Sequence, residues 1–295
     1  MAQIKTVGVL GCGLMGSGIA QVAASAGFST IVREVTDELN ARGKAGITRS
    51  LDKFVEKQKM SQADRDATLG RLSFVTKVAD LKPCDIVIEA VTEDLELKNM
   101  LWKELDALCG PDTIFASNTS SLTVAAMAGA TKRADRFVGL HFFNPVPLMK
   151  LVEVVKTVTT SRTAFDRTFA FAKAIGKEPV AARDNSGFIV NLLLVPYLLG
   201  SIRALEQGVG SVPDMDKAMM LGCGYPMGPF TLLDFVGLDT TYKIAEIMFD
   251  EYREQHYAPP PLLKRMVLSG MYGKKSGKGF YDYSTNPPAL SELGL

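Results

Sequence analysis

Along the first half of the chain, short apolar runs alternate with longer stretches whose apolar residues recur every three or four positions. The runs at 5–10, 30–34, 72–76, 85–90, 113–117 and 137–143 are nearly continuous in Val, Ile, Leu and Phe, as in strands buried on both faces. Between them, 14–26, 37–56, 95–109 and 122–127 carry helical periodicity. Alternation of this kind predicts a mostly parallel, doubly wound α/β sheet, with ligands at the carboxyl ends of the strands.

The pattern then changes. After an extended run at 151–157, a helical stretch at 164–175 and an extended piece near Val180, the polar cluster Asp184-Asn185-Ser186-Gly187 is suited to capping a helix. Beyond it, 188–206, 212–221, 230–235 and 240–253 all read as helix, separated by turns such as Gly222-Cys223-Gly224-Tyr225-Pro226. The boundary falls near Ser186, between an α/β domain over 1–185 and an all-α C-terminal domain over 186–295. A length of 295 residues suits two domains with separate cores.

Composition removes several function classes. Lys and Arg number 33 against 32 Asp and Glu, a net charge of +1, and no basic run exceeds Lys274-Lys275. Nucleic acid and anionic membrane are therefore not expected partners, and an anionic ligand has to be gripped locally. The apolar run at 188–199 is too short to span a bilayer and contains Asn191 and Pro196, so it reads as a core helix. Cys12, Cys84, Cys109 and Cys223 form no CxxC and no cluster with histidine; reduced, buried thiols and no metal site are expected. Met1 leads directly into the first strand, with no leader-like segment, and a cytoplasmic location is the expectation.

Gly11-Cys12-Gly13-Leu14-Met15-Gly16 is a GxGxxG that closes a predicted strand and opens a predicted helix. In that context Gly11 makes the tight turn, Gly13 lets a pyrophosphate approach, and Gly16 packs helix on strand. The amides of Leu14 and Met15 begin a helix whose N-terminus faces the phosphates. Glu34 ends the next strand, where a carboxylate accepts hydrogen bonds from the adenosine ribose, favouring NAD over NADP. The fold is thus Rossmann-like. Arg33 is the counter-indication, because it tolerates a 2′-phosphate that Glu34 repels; without a cofactor, the same glycines only pack a helix on a strand.

The chain has 2 histidines. His256 precedes three prolines and reads as exposed loop. His141 ends an apolar strand in Leu140-His141-Phe142-Phe143-Asn144-Pro145, where this fold places its chemistry. Glu153 follows twelve residues later inside Leu151-Val152-Glu153-Val154-Val155, and a carboxylate in a buried pattern calls for a partner. If the Asn144-Pro145-Val146-Pro147 segment reverses the chain, positions 141 and 153 lie abreast and form a His-Glu dyad. His141 read alone also fits a satisfied core position; Glu153 is what selects the dyad.

With these residues in view, the sequence resembles the L-3-hydroxyacyl-CoA dehydrogenases, particularly the short single-function 3-hydroxybutyryl-CoA dehydrogenases. The resemblance covers nearly the whole chain. It includes Glu89-Ala90-Val91-Thr92-Glu93, Ser117-Asn118-Thr119-Ser120-Ser121-Leu122, His141-Phe142-Phe143-Asn144-Pro145, Gly187-Phe188-Ile189-Val190-Asn191 and Gly273-Lys274-Lys275-Ser276-Gly277-Lys278-Gly279-Phe280-Tyr281. It implies a reversible, NAD-dependent oxidation of the 3-hydroxyl of an acyl-CoA, with His141 as general base and acid and Glu153 orienting it. Acid-base catalysis of this kind contributes about 10²–10⁴ in rate. It also implies that Ser120 and Asn191 hold the substrate, that Glu93, Lys98, Ser120, Asn144 and Lys275 meet the cofactor, and that Ser50 and Lys57 meet the CoA phosphates. A homodimer through the helical domain, around Met219-Met220-Leu221 and Leu232-Leu233, belongs to the same expectation.

The residues themselves leave alternatives. Ser120 serves equally as a helix N-cap, Asn191 as a bond to a neighbouring helix, and Glu93 and Lys98 as a solvated face. Glu34 departs from the family, which commonly carries Asp there, and cofactor preference is the point this puts in question. A dicarboxylic 3-hydroxyacyl-CoA or a sugar acid is the rival substrate, and a catalytically silent, crystallin-like NAD-binding protein the rival class. A multifunctional enzyme with a hydratase domain does not fit in 295 residues.

Overall fold

The computed structural model describes residues 4–294, and the chain divides into two compact units, Met1–Phe188 and Ile189–Leu295. In the first unit, β1 (Thr6–Leu10), β2 (Ser29–Arg33), β3 (Leu72–Val75), β4 (Ile86–Glu89), β5 (Ile114–Ser117), β6 (Phe137–Phe142), β7 (Leu151–Lys156) and β8 (Glu178–Arg183) form one sheet. Its order is β3-β2-β1-β4-β5-β6-β7-β8. Neighbours from β3 to β6 are parallel, β7 is antiparallel to β6, and β8 is parallel to β7. Strand order reverses between β1 and β4, which opens the crevice where a doubly wound sheet binds its ligand.

The crossovers are α1 (Leu14–Ser25), α2 (Asp37–Glu56), α3 (Gln62–Gly70), α4 (Leu95–Leu108), α5 (Val124–Ala128) and α6 (Arg162–Ala174). β4, β5 and β6 are buried throughout, which explains their continuous apolar sequence. On one face Trp102 of α4 packs against Phe115 and Phe137, each at 4.9 Å between ring centroids. The periodicity misses α3, because Thr68 is its one buried residue and no apolar stripe exists to be read. Its start is set by Ser61, whose hydroxyl accepts from the Asp64 amide.

The polar cluster at 184–187 caps α5, a helix some 60 residues earlier in the chain. Asp184 accepts from the Val124 amide at 2.8 Å and the Ala125 amide at 2.6 Å, the first two amides of α5. Ser186 donates to the Ser121 carbonyl at 2.8 Å. The helix expected from residue 188 starts two residues later, after Gly187 and Phe188 at φ +83° and +50°. Such a conformation is costly for Phe188, and it turns the ring back into the first unit, where it packs against His141 at 5.6 Å.

In the second unit α7 (Val190–Glu206), α8 (Val212–Cys223), α9 (Pro229–Val236), α10 (Leu238–Tyr252) and α11 (Pro261–Leu268) enclose a core that includes Leu199, Ile202, Phe230, Leu233 and Phe280. Beyond α11 a short antiparallel pair, β9 (Tyr281–Asp282) and β10 (Ala289–Leu290), adds strand to a unit whose sequence reads as all helix. Two buried carboxylates fix this tail. Asp216 accepts from the Phe230 and Thr231 amides at the start of α9 and from the Tyr281 hydroxyl, and Asp234 accepts from the Phe280 and Tyr281 amides. Of the apolar residues singled out as an interface, Leu233 belongs to this core, while Met220 and Leu221 are exposed. No helix among the described residues is long and apolar enough to cross a membrane.

Candidate active site

At the turn from β1 to α1, Gly11 holds φ +92°, and a Cβ on Gly16 would stand 1.9 Å from the Gly11 carbonyl oxygen. A Cβ on Gly13 would meet nothing within 4 Å. α2 and α4 carry side-chain caps from Thr36 and Asp94, whereas α1 has neither a side-chain cap nor an acidic residue in its first turn. Its leading amides, including those of Leu14 and Met15, are left for an anion approaching over Gly13, the arrangement that a pyrophosphate requires.

Glu34, one residue past β2, reaches back to this loop. Its Oε1 accepts from the Cys12 amide at 2.5 Å and its Oε2 from its neighbour Val35 at 3.2 Å. The charge therefore lies on the glycine-rich loop itself. Arg33 is engaged elsewhere, with Nε donating to the Thr76 carbonyl at 3.0 Å. Cys12, Cys84 and Cys109 are buried, but Cys223, at the end of α8, is exposed, against the expectation of four buried thiols. Burial, and then Glu34, push the Cys12 thiol up to about 12, which leaves it unreactive.

A buried charged cluster lies across the crevice at the ends of β4 and β5. Lys98, on α4, is 1% exposed and holds Glu89 at 2.5 Å and Glu93 at 3.0 Å. That corrects the reading of Lys98 as part of a solvated face. Glu93 also accepts from the Thr119 and Ser121 hydroxyls and the Ser120 amide, and so orders the loop after β5. Burial alone would raise its carboxyl; Lys98 and the Thr119 hydrogen bond outweigh burial and hold it below the usual 4.5. Ser120 is half-buried in this loop. The N-cap position of α5 is Thr123, so the capping alternative for Ser120 does not apply.

β6 and β7 are joined by a short turn, and their antiparallel register sets His141 directly opposite Glu153. His141 Nδ1 lies 2.6 Å from Glu153 Oε2, with the carboxylate wholly buried. A carboxylate at Nδ1 fixes the proton there, which leaves Nε2 of the neutral ring as the acceptor. Phe143 packs against the imidazole at 4.5 Å. Asn118 braces the strand end by accepting from the Phe142 amide at 2.9 Å.

The remaining candidates are dispersed. Asn144 is exposed in the turn after β6. Ser50 is half-buried on α2, and Lys57 is exposed just past its end. Asn191 and Lys275 lie in the second unit: Asn191 is in the first turn of α7, and Lys275 pairs with Asp239 at 2.6 Å. His256 is exposed and near Glu254, in a short 3₁₀ turn.

Residues 6–185 match the family model described as "3-hydroxyacyl-CoA dehydrogenase, NAD binding domain", and residues 187–283 match "3-hydroxyacyl-CoA dehydrogenase, C-terminal domain". The chain belongs to the 3-hydroxyacyl-CoA dehydrogenase family. It is 50% identical over 282 residues to a 3-hydroxybutyryl-CoA dehydrogenase of Mycobacterium tuberculosis, covering 95% of this chain and 99% of that one. It is 49% identical over 287 residues to the mitochondrial hydroxyacyl-coenzyme A dehydrogenase of Homo sapiens, covering 95% and 91%. The crystal structure of (S)-3-hydroxybutyryl-CoA dehydrogenase from Ralstonia eutropha superposes with a TM-score of 0.93 at 41% identity, over 96% of this chain and 100% of that one. The first unit thus carries this family's NAD-binding domain, and the open amides of α1 and the carboxylate of Glu34 fit that cofactor.

Several residues around the dyad had no assigned role in the sequence. Glu89 was visible as a charge ending the run Ile86-Val87-Ile88-Glu89 and as the start of one family-like motif, with no role attached. Lys177, one residue before β8, is buried and donates to the carbonyls of Val146 and Met149. It thereby pins the turn that joins His141 to Glu153, and burial lowers its ammonium from the usual lysine range. No sequence signal announces that contact, since both acceptors are backbone.

Proposed function

We propose that this protein catalyses the reversible, NAD-dependent oxidation of (S)-3-hydroxyacyl-CoA to 3-oxoacyl-CoA, with the four-carbon 3-hydroxybutyryl-CoA as its substrate. The observation that carries the reading is the opposed pair His141 and Glu153, 2.6 Å apart at the carboxyl end of β6. NAD bound in the crevice supplies the acceptor for the hydride leaving C3. His141 takes the hydroxyl proton at Nε2 as the carbonyl forms, and Glu153 stabilises the resulting imidazolium. In the reverse direction the same nitrogen returns the proton.

The loop ordered by Glu93 presents Ser120, whose hydroxyl holds the reacting oxygen, an interaction that strengthens as charge develops there. Each Glu34 oxygen bonded to the backbone keeps a further lone pair for a ribose hydroxyl. Ser50 on α2 and Lys57 at its C-cap stand seven positions apart, about two helical turns, a spacing that suits the CoA phosphates. Asn144, Asn191 and Lys275 keep the substrate and cofactor roles that the family resemblance gives them. A homodimer through the second unit is supported by exposed Met220 and Leu221; sedimentation tests it, and a strictly monomeric active enzyme contradicts it.

The direct assay is consumption of NADH with acetoacetyl-CoA. Turnover supports the reading. Full NADH binding with no turnover on acetoacetyl-CoA or longer 3-oxoacyl-CoA esters contradicts it.

A further inference from the structure

Glu89 has no part in the reaction above, yet its carboxylate is buried beneath the strand ends that carry the chemistry. It is an acceptor at each contact: Oε1 takes the Lys98 ammonium at 2.5 Å and the Val91 amide at 2.8 Å, and Oε2 takes the Ser117 hydroxyl at 2.6 Å. Lys98 bonds Glu93 on its other side. The three side chains sum to a formal charge of one negative, with Glu89 and Lys98 buried and Glu93 partly exposed.

Strand register places that charge. Glu89 is level with Leu10 of β1 on one side and Ser117 of β5 on the other, and Ser117 is level with Gly139 of β6, two residues before His141. Two interstrand steps of ~4.8 Å and two residues of ~3.3 Å separate the backbones of Glu89 and His141 by roughly 12 Å. A nicotinamide placed to take hydride from the carbon whose hydroxyl His141 deprotonates would sit over the same strand ends, on the order of 10 Å from the cluster.

We propose that the buried cluster of Glu89, Lys98 and Glu93 sets the redox preference of the bound cofactor, stabilising the cationic ring of NAD⁺ over the neutral ring of NADH. The inference rests on the NAD-dependent reading above. Hydride arrival brings two electrons and removes the ring's single positive charge, so a fixed negative charge acts on one redox form and barely on the other. At ~10 Å and an effective dielectric of ~20, one charge changes the ratio of the two affinities about tenfold.

The test is separate titration of NAD⁺ and NADH into wild type, Glu89→Gln and Lys98→Gln, with circular dichroism to verify folding. Kd(NAD⁺)/Kd(NADH) is expected to rise about tenfold in Glu89→Gln and to fall by a similar factor in Lys98→Gln. Opposite signs are a result that loosened packing does not produce. Should Glu89→Gln not fold, Glu93→Gln, with its partly exposed carboxylate, is expected to raise the ratio in its place. An unchanged ratio, or both charge changes moving it the same way, overturns the proposal. A wild type that binds neither nucleotide overturns the proposed function instead.

Discussion

His141 and Glu153 face each other across the one antiparallel junction of the eight-stranded sheet, with Nδ1 and Oε2 2.6 Å apart. The two facts are linked. A parallel neighbour needs a crossover of a dozen or more residues, whereas an antiparallel one needs only a turn, so residues twelve apart can meet at the strand ends. The change of strand direction thereby brings a buried carboxylate to the imidazole.

If Glu153 acts by its charge, Glu153→Gln keeps an oxygen for the Nδ1 proton but loses the anion that stabilises the imidazolium. kcat is expected to fall about 10–10²-fold, with the Kd for NADH within about twofold of wild type. Steady-state kinetics beside a binding titration checks this, and an unchanged kcat removes Glu153 from the mechanism.

That hairpin was legible in the sequence because the dyad residues are near neighbours in the chain and a charge in a buried strand pattern stands out. The glycine-rich turn was legible for the same local reason. Asp184 and α5 were not: the bond spans 60 residues, and a capping cluster shows that it caps without showing what. Lys98 misled for a related reason. A lysine near glutamates looks solvated until β4 and β5 are known to bury it against Glu89, so its placement is a property of the sheet order rather than of α4. α3 escaped because a helix with one buried residue has no periodicity to detect.

Asp184→Ala removes the acceptor for two amides of α5. Loss of a cap costs about 0.5–2 kcal/mol, a drop of roughly 2–4 °C in Tm per kcal/mol for a domain of this size. Differential scanning calorimetry measures it, and an unaltered Tm would mean that α5 is stable without the cap.

Glu34→Ala removes charge-assisted acceptance worth about 1.5–3 kcal/mol. The Kd for NADH is expected to rise by roughly 10–10²-fold while that for NADPH changes less, because the repulsion of a 2′-phosphate goes with the carboxylate. Paired titrations of NADH and NADPH check this; tighter binding of NADPH by the wild type contradicts the reading of Glu34.

Glu93 makes the fold acid-sensitive. Its carboxyl is lower in the folded state than the ordinary 4.5, so its stabilisation is complete above that value and is lost as pH falls through the lower, folded one. Glu93→Gln is expected to be less stable than wild type near pH 7 and to converge with it as pH falls below 4.5 and through the lower, folded value. Urea melts across this range test the sign, and a gap that widens on acidification refutes it.

The central claim is that His141 moves the proton, and the most direct measurement is NADH consumption with acetoacetyl-CoA by His141→Gln, whose amide still offers a donor to buried Glu153. The expected result is a fall in kcat of about 10²–10⁴ with NADH binding intact. Turnover within a few-fold of wild type would show that the proton goes elsewhere.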